Sequence, residues 1–155
     1  MKRKASIPQT LMMEPFYYKR KERRKIIIVD DEPRIARLCS LLFSRIFIGY
    51  KVIQVFANGK EVVDYVANLG VNQEAPEVIV TDYQMPIMDG LEAAKILRAI
   101  RPGLKIILVS AYDVPKEEEG YFDAIVKKPF SADDLLQAIS GLVWLKEESM
   151  ISPNN

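Results

Sequence analysis

From Ile26 onward, short and almost unbroken apolar runs alternate with longer stretches in which apolar residues recur every three or four positions. That alternation predicts βα units around a parallel sheet: a strand buried on both faces shows no polar side, whereas a covering helix keeps one. Five strands are expected, at Ile26–Val29, Lys51–Phe56, Glu77–Asp82, Leu104–Ser110 and Ala124–Lys127. Helix one starts at Pro33, a residue favoured in the first helical position, and runs to Gly49 with Ile35, Leu38, Leu42 and Ile46 inward. Helix two follows a turn and cap at Asn58-Gly59 and buries Val62, Val63, Val66 and Leu69. Helix three follows the loop Tyr83–Gly90 and buries Leu91, Ala94, Leu97 and Ile100. The last helix is capped by Ser131, carries Asp133 and Asp134 in its first turn, and buries Leu135, Leu136, Ile139, Leu142 and Val143. Between strands four and five, Ala111–Gly120 is short, acidic and interrupted by Pro115, so a fourth helix there should be stunted.

Residues 1–25 lack either period and contain Pro8 and Pro15. They read as a mobile extension, with a helical turn around Lys19–Lys25 and no strand of their own, so removing them should leave the fold intact. Residues 26–148 form one domain and 149–155 a tail. The formal charge of +1 conceals an asymmetry: nine Lys/Arg against Glu14 and Glu22 give the first 25 residues +7, leaving −6 on the rest. A solvated, disordered arm is preferred for this basic run over contact of residues 19–25 with nucleic acid or an anionic membrane surface. No apolar run approaches the roughly 20 residues needed to cross a bilayer. The basic start lacks the apolar core of a secretory signal, so a cytoplasmic protein is expected. The one cysteine, Cys39, excludes an intramolecular disulfide and reads as a small buried hydrophobe. With no histidine in the chain, His-based catalysis is excluded and zinc disfavoured. Trp144 is expected to pack against the body.

The chemistry sits at strand ends. Strand one runs into Asp30-Asp31, strand three ends at Asp82, strand four at Ser110, and strand five before Lys128-Pro129. In a parallel sheet these groups meet at the carboxyl edge, where open α/β sheets place their ligands. Asp30, Asp31 and Asp82 suit Mg²⁺, which takes oxygen ligands from one or two carboxylates and phosphate. A carboxylate can also accept a phosphoryl group as an acyl phosphate, with a hydroxyl and a lysine steadying the phosphoryl oxygens.

Four segments in this order, Ile28-Val29-Asp30-Asp31-Glu32-Pro33, Val80-Thr81-Asp82-Tyr83-Gln84-Met85-Pro86-Ile87-Met88-Asp89-Gly90, Val109-Ser110-Ala111 and Lys128-Pro129-Phe130, resemble the receiver domain of two-component response regulators. The resemblance covers about residues 25–145. It implies a flavodoxin-like, doubly wound α/β fold whose five-stranded parallel sheet has the order 2-1-3-4-5. It makes Asp82 the acceptor of a phosphoryl group from the phosphohistidine of a sensor histidine kinase or phosphotransfer protein. Asp31, Asp82 and the main-chain carbonyl of Gln84 would bind Mg²⁺, with Asp30 acting through water. Ser110 and Lys128 would contact the phosphoryl group, small Ala111 would keep its approach open, and Lys128-Pro129 would be cis. Pro86, Met88 and Gly90 would shape the loop after Asp82. The expected role is a stand-alone signalling switch, working through protein partners or a phosphorelay and catalysing only its own phosphoryl transfer and dephosphorylation.

Two departures stand out. The family's aromatic residue three positions before the site lysine is Ile125 here, and the segment between Ser110 and Lys128 is short. An alternative is therefore a phosphate-independent interaction module acting through the 111–125 face. An aspartyl phosphohydrolase would want a second acid two residues after the nucleophile, where this chain has Gln84. If phosphate is the signal, it should travel by ordering of residues 111–122 and not by a ring changing rotamer.

Overall fold

The computed structural model describes residues 22–144. The proposed arm up to residue 21 and the tail at 149–155 lie outside them. Strands β1 (Arg24–Val29), β2 (Tyr50–Phe56), β3 (Val78–Asp82), β4 (Lys105–Ser110) and β5 (Ala124–Lys127) form one parallel sheet ordered β2-β1-β3-β4-β5. This is the flavodoxin-like order expected from the sequence. Helices α1 (Pro33–Leu41) and α5 (Ala132–Ser140) cover one face, and α2 (Gly59–Ala67) and α3 (Gly90–Ile100) the other. Ile26, Ile28, Val80 and Ile107 point to the first core, and Ile27, Val29, Ile79 and Ile106 to the second. That division of neighbouring residues between two faces is why the central strands read as continuous apolar runs.

Helix ends follow the capping chemistry. Asn58 Oδ1 accepts from the Glu61 N–H at 3.0 Å, and Asp89 Oδ1 from the Glu92 N–H at 2.8 Å. Ser131 and Asp134 form a reciprocal capping box. α4 (Lys116–Glu119) is a single turn of four residues with none buried, as the sequence led us to expect.

Several details differ from the sequence reading. β1 begins at Arg24, so Arg24 and Lys25 belong to the sheet and not to an extension. The Arg24 N–H donates to the Gly49 carbonyl at 2.8 Å, its guanidinium pairs with Glu77 at 3.3 Å, and its face lies 3.4 Å from the Trp144 ring centroid. The Trp144 packing was expected, but its partner was not. A cut after Lys25 would therefore remove two residues of β1 and expose that ring. Helix one passes at Leu42 into a π-helical segment, Leu42–Ile46, closed by the Phe47 N–H donating to the Leu42 carbonyl at 2.7 Å. The wider turn brings Phe43 and Phe47 inward and leaves Ile46 63% exposed, contrary to expectation; before it, Ala36 and Cys39 are buried and Leu38, expected inward, is exposed. Ile100, Leu136 and Val143, expected inward, are likewise exposed, while Ala93, Ala94, Leu97, Leu135, Ile139 and Leu142 are buried. Cys39 is buried, which raises its thiol pKa to about 11.

Candidate functional site

Register brings the polar strand ends together. Val29 pairs with Thr81, so one further step sets Asp30 beside Asp82; Asp82 pairs with Val109, and Ser110 with Lys127. The carboxyl ends of β1, β3, β4 and β5 thus deliver Asp30, Asp31, Asp82, Ser110 and Lys128 to one edge. Oxygens of Asp30, Asp31 and Asp82 all lie within 4.8 Å of one another. Lys128 Nζ is 3.1 Å from Asp30 Oδ2 and 3.2 Å from Asp82 Oδ1. Lys128-Pro129 is cis, and the Lys128 N–H donates to the Ser110 carbonyl at 2.8 Å.

The three acids are not equivalent. Asp30 is buried, and both its oxygens are engaged: Oδ1 accepts from the Glu32 N–H at 2.8 Å, and Oδ2 faces Lys128. Asp31 is exposed and makes no side-chain hydrogen bond among the described residues. Asp82 Oδ1 accepts from the Tyr83 N–H at 2.8 Å, and its side chain is 13% exposed. Burial, and then the charge of Asp30, hold the Asp82 carboxyl above its usual range, with Lys128 opposing them. Burial disfavours the charged form of Lys128, but Asp30 and Asp82 outweigh it and raise its pKa.

An all-oxygen set of three carboxylates fits a hard divalent cation and not a soft or nitrogen-seeking one. The like charges at this edge are only partly offset by one lysine, which favours adding such a cation. Asp31, with its oxygens unspent among the described residues, is suited to direct ligation, and Asp30, spent on Glu32 and Lys128, to a water-mediated one. Gln84 lies exposed in the loop directly after β3.

Ser110 is buried, and its hydroxyl is committed within its own turn. It donates to the Tyr112 carbonyl at 2.9 Å and accepts from the Tyr112 N–H at 3.0 Å. A ligand oxygen beside Asp82 must draw the hydroxyl away from Tyr112. This makes the backbone of Tyr112 part of the site, a role that residue type alone did not announce. The sequence reading also missed Tyr83, whose hydroxyl donates to a Glu118 carboxylate oxygen on α4. That bond, then burial, raises the phenol pKa to about 12. Ile125 sits on β5, partly exposed.

The loop from Tyr83 to Gly90 contains one strained residue. Ile87 has φ +70° and is 76% exposed. A β-branched residue in the left-handed region costs about 1–3 kcal/mol. Ile87→Asn is expected to raise stability by about 1 kcal/mol, since asparagine tolerates that conformation and little burial is lost. A lower unfolding midpoint in this variant would show that the isoleucine is held by its contacts.

The model of the response regulator receiver domain matches residues 26–140. Response regulator MprA of Mycolicibacterium vanbaalenii is 32% identical over 122 residues, covering 76% of this chain and 49% of that protein. The chain spans about half the length of the MprA relatives that it matches. Sporulation initiation phosphotransferase F of Bacillus subtilis (strain 168) is 30% identical over 125 residues, covering 78% of this chain and 94% of that protein. Response regulator protein TrrA of Thermotoga maritima, solved in complex with Mg(2+)-BeF, is similar with a TM-score of 0.64 and 28% identity, covering 77% of this chain and 99% of that one. No helix among the described residues is long and apolar enough to cross a membrane.

Proposed function

The chain belongs to the response regulator receiver family, and from that premise we propose that it is a phosphorylatable switch whose acceptor is Asp82. The observation that carries this reading is the convergence on one side chain: Asp82 has the Asp30-Asp31 pair within 4.8 Å and Lys128 at 3.2 Å. With Asp82 Oδ1 engaged by Tyr83 and facing Lys128, Oδ2 is the attacking oxygen. It forms the O–P bond as the P–N bond of a donor phosphohistidine breaks, and that electron pair stays on the imidazole nitrogen. Lys128 then neutralises a phosphoryl oxygen, and the Ser110 hydroxyl turns from Tyr112 to donate to another.

Asp31, Asp82 and the Gln84 carbonyl would hold Mg²⁺, with Asp30 reaching it through water. When bound, the cation offsets charge on the phosphoryl oxygens. The chain's own catalysis is limited to this transfer and to hydrolysis of the acyl phosphate. Its upstream partner is a sensor histidine kinase or phosphotransfer protein in the cytoplasm, and its downstream partner another protein. TrrA's Mg(2+)-BeF complex supports the cation, and the phosphotransferase relative supports the relay.

The test is incubation with Mg²⁺ and acetyl phosphate, followed by intact mass and peptide mapping. One added phosphoryl group, labile to hydroxylamine and confined to the peptide holding Asp82, is expected, with no gain in chelator. Equal gain in chelator, or a group elsewhere, would sink the reading.

A further inference from the structure

α4 is four residues long and entirely unburied, far below the length at which a helix sustains itself. Among the described residues, one side-chain hydrogen bond ties it to the rest of the fold, from the Tyr83 hydroxyl to Glu118. Tyr83 directly follows Asp82, and its main chain is gripped at both ends. Its N–H donates to Asp82 Oδ1 at 2.8 Å, and its carbonyl accepts from the Gly90 N–H at 2.8 Å. The ring between these grips and Glu118 packs against the core beneath α2 and α3. Beside α4 lies an open groove of about 660 Å³, lined in part by Ser110, Tyr112, Val114, Phe122 and Ile125, so α4 has space to move. The far end of the segment is fastened: Arg98 donates to the Tyr121 carbonyl at 3.0 Å and pairs with Asp123 at 2.5 Å.

We propose that Tyr83 and Glu118 are a positioning pair, a strut by which the state of Asp82 sets the place of α4 and hence the shape of the 111–125 face. This rests on Asp82 being the phosphoryl acceptor. Phosphorylation at Oδ2 leaves Oδ1, which the Tyr83 N–H addresses, as the neutral carbonyl oxygen of an acyl phosphate, a weaker acceptor than a carboxylate oxygen. The Tyr83 main chain relaxes, and its phenol carries the displacement to Glu118. A rigid aromatic ring transmits such a shift, which the aliphatic Ile125 has no ring to do.

The test is hydrogen exchange of residues 116–122 with Mg²⁺ alone and with Mg²⁺ and beryllium fluoride, alongside acetyl phosphate labelling. Wild type should label and change its exchange in this segment on loading. Glu118→Ala lies away from Asp82 and should label as wild type does; Tyr83→Phe keeps the ring and the main-chain N–H and loses only the hydroxyl. Its unloaded segment should exchange about tenfold faster, the loss of one hydrogen bond to a charged group, and should no longer respond to loading. Glu118→Gln keeps an acceptor and should keep the response, while Glu118→Ala should lose it. If Tyr83→Phe labels and its segment still responds as in wild type, the strut is overturned and the acceptor reading stands. If wild type takes no label, the acceptor reading falls and the strut with it.

Discussion

A single methyl group added at Gly90 is expected to cost about 3 kcal/mol of stability. Gly90 opens α3, and its amide donates to the Tyr83 carbonyl at 2.8 Å. That places the helix start hard against the end of β3. A Cβ there would lie 2.1 Å from the Asp82 carbonyl oxygen, 3.1 Å from its carbon and 3.2 Å from Tyr83 Cα. All three obstacles are main chain, so no side chain can rotate away and the loop itself must shift. Because the displaced carbonyl belongs to Asp82, Gly90→Ala should also slow labelling by acetyl phosphate. Gly103→Ala is the control: nothing lies within 4 Å of its Cβ, and its effect should stay within about 0.5 kcal/mol. Urea unfolding of both variants checks this. An unchanged midpoint in Gly90→Ala would mean that the helix is not seated against the end of β3 as described.

The close seat at Gly90 also shows how the sequence displayed the site. The groups that meet at the edge each terminate an apolar run, and a parallel sheet leaves such ends one place to go. Position along the strand, joined to strand order, therefore places Asp30, Asp82, Ser110 and Lys128 without any knowledge of side-chain contacts. What escaped the sequence depends on pairs distant along it. Arg24 and Lys25 look like the end of a basic arm, yet Glu77 and Trp144 supply the partners that admit them to β1. Tyr83 and Glu118 are 35 positions apart, and neither residue type announces the other.

The helix faces failed for a different reason. A regular period puts Ile46 inward, but the π turn at Leu42–Ile46 advances the face by one residue and buries Phe47 in its place. Burial of Phe43 and Phe47, with rings 5.1 Å apart at 80°, offsets the exposure of Ile46. The stunted α4 was legible because Pro115 and the acidic run act locally. The sequence reading expected that segment to signal by becoming ordered. Its fastening by Tyr83 at one end and Arg98 at the other favours displacement of an already formed turn.

Neutralising Asp82, the proposed acceptor, is expected to have two effects of opposite character. Asp82→Asn should abolish labelling, because the amide is no nucleophile towards phosphorus at neutral pH. The same change should stabilise the cation-free protein, because it removes a charge that burial and Asp30 disfavour at this edge. The sign follows from linkage. The Asp82 carboxyl is raised in the folded state, so the native protein binds more protons than the unfolded chain between the free carboxyl value, about 4, and the raised one. Stability therefore falls as pH climbs through that window, and the deficit persists at neutral pH. Lys128 contributes in the opposite sense at neutral pH: its raised pKa adds stability that is full below the free lysine value, about 10.4, and is lost only as pH rises through the folded value. Removing the Asp82 charge forfeits part of that pairing, but Asp30 still faces Lys128 at 3.1 Å and retains the rest. The repulsion relieved outweighs the attraction lost, since burial and Asp30 together push Asp82 up despite the lysine. Mg²⁺ should invert the ranking, stabilising wild type more than Asp82→Asn, because the variant offers the cation one charge fewer. Thermal unfolding at neutral pH, in chelator and in Mg²⁺, reads all of this. A variant less stable than wild type in chelator would show that the three carboxylates are not in conflict at this edge.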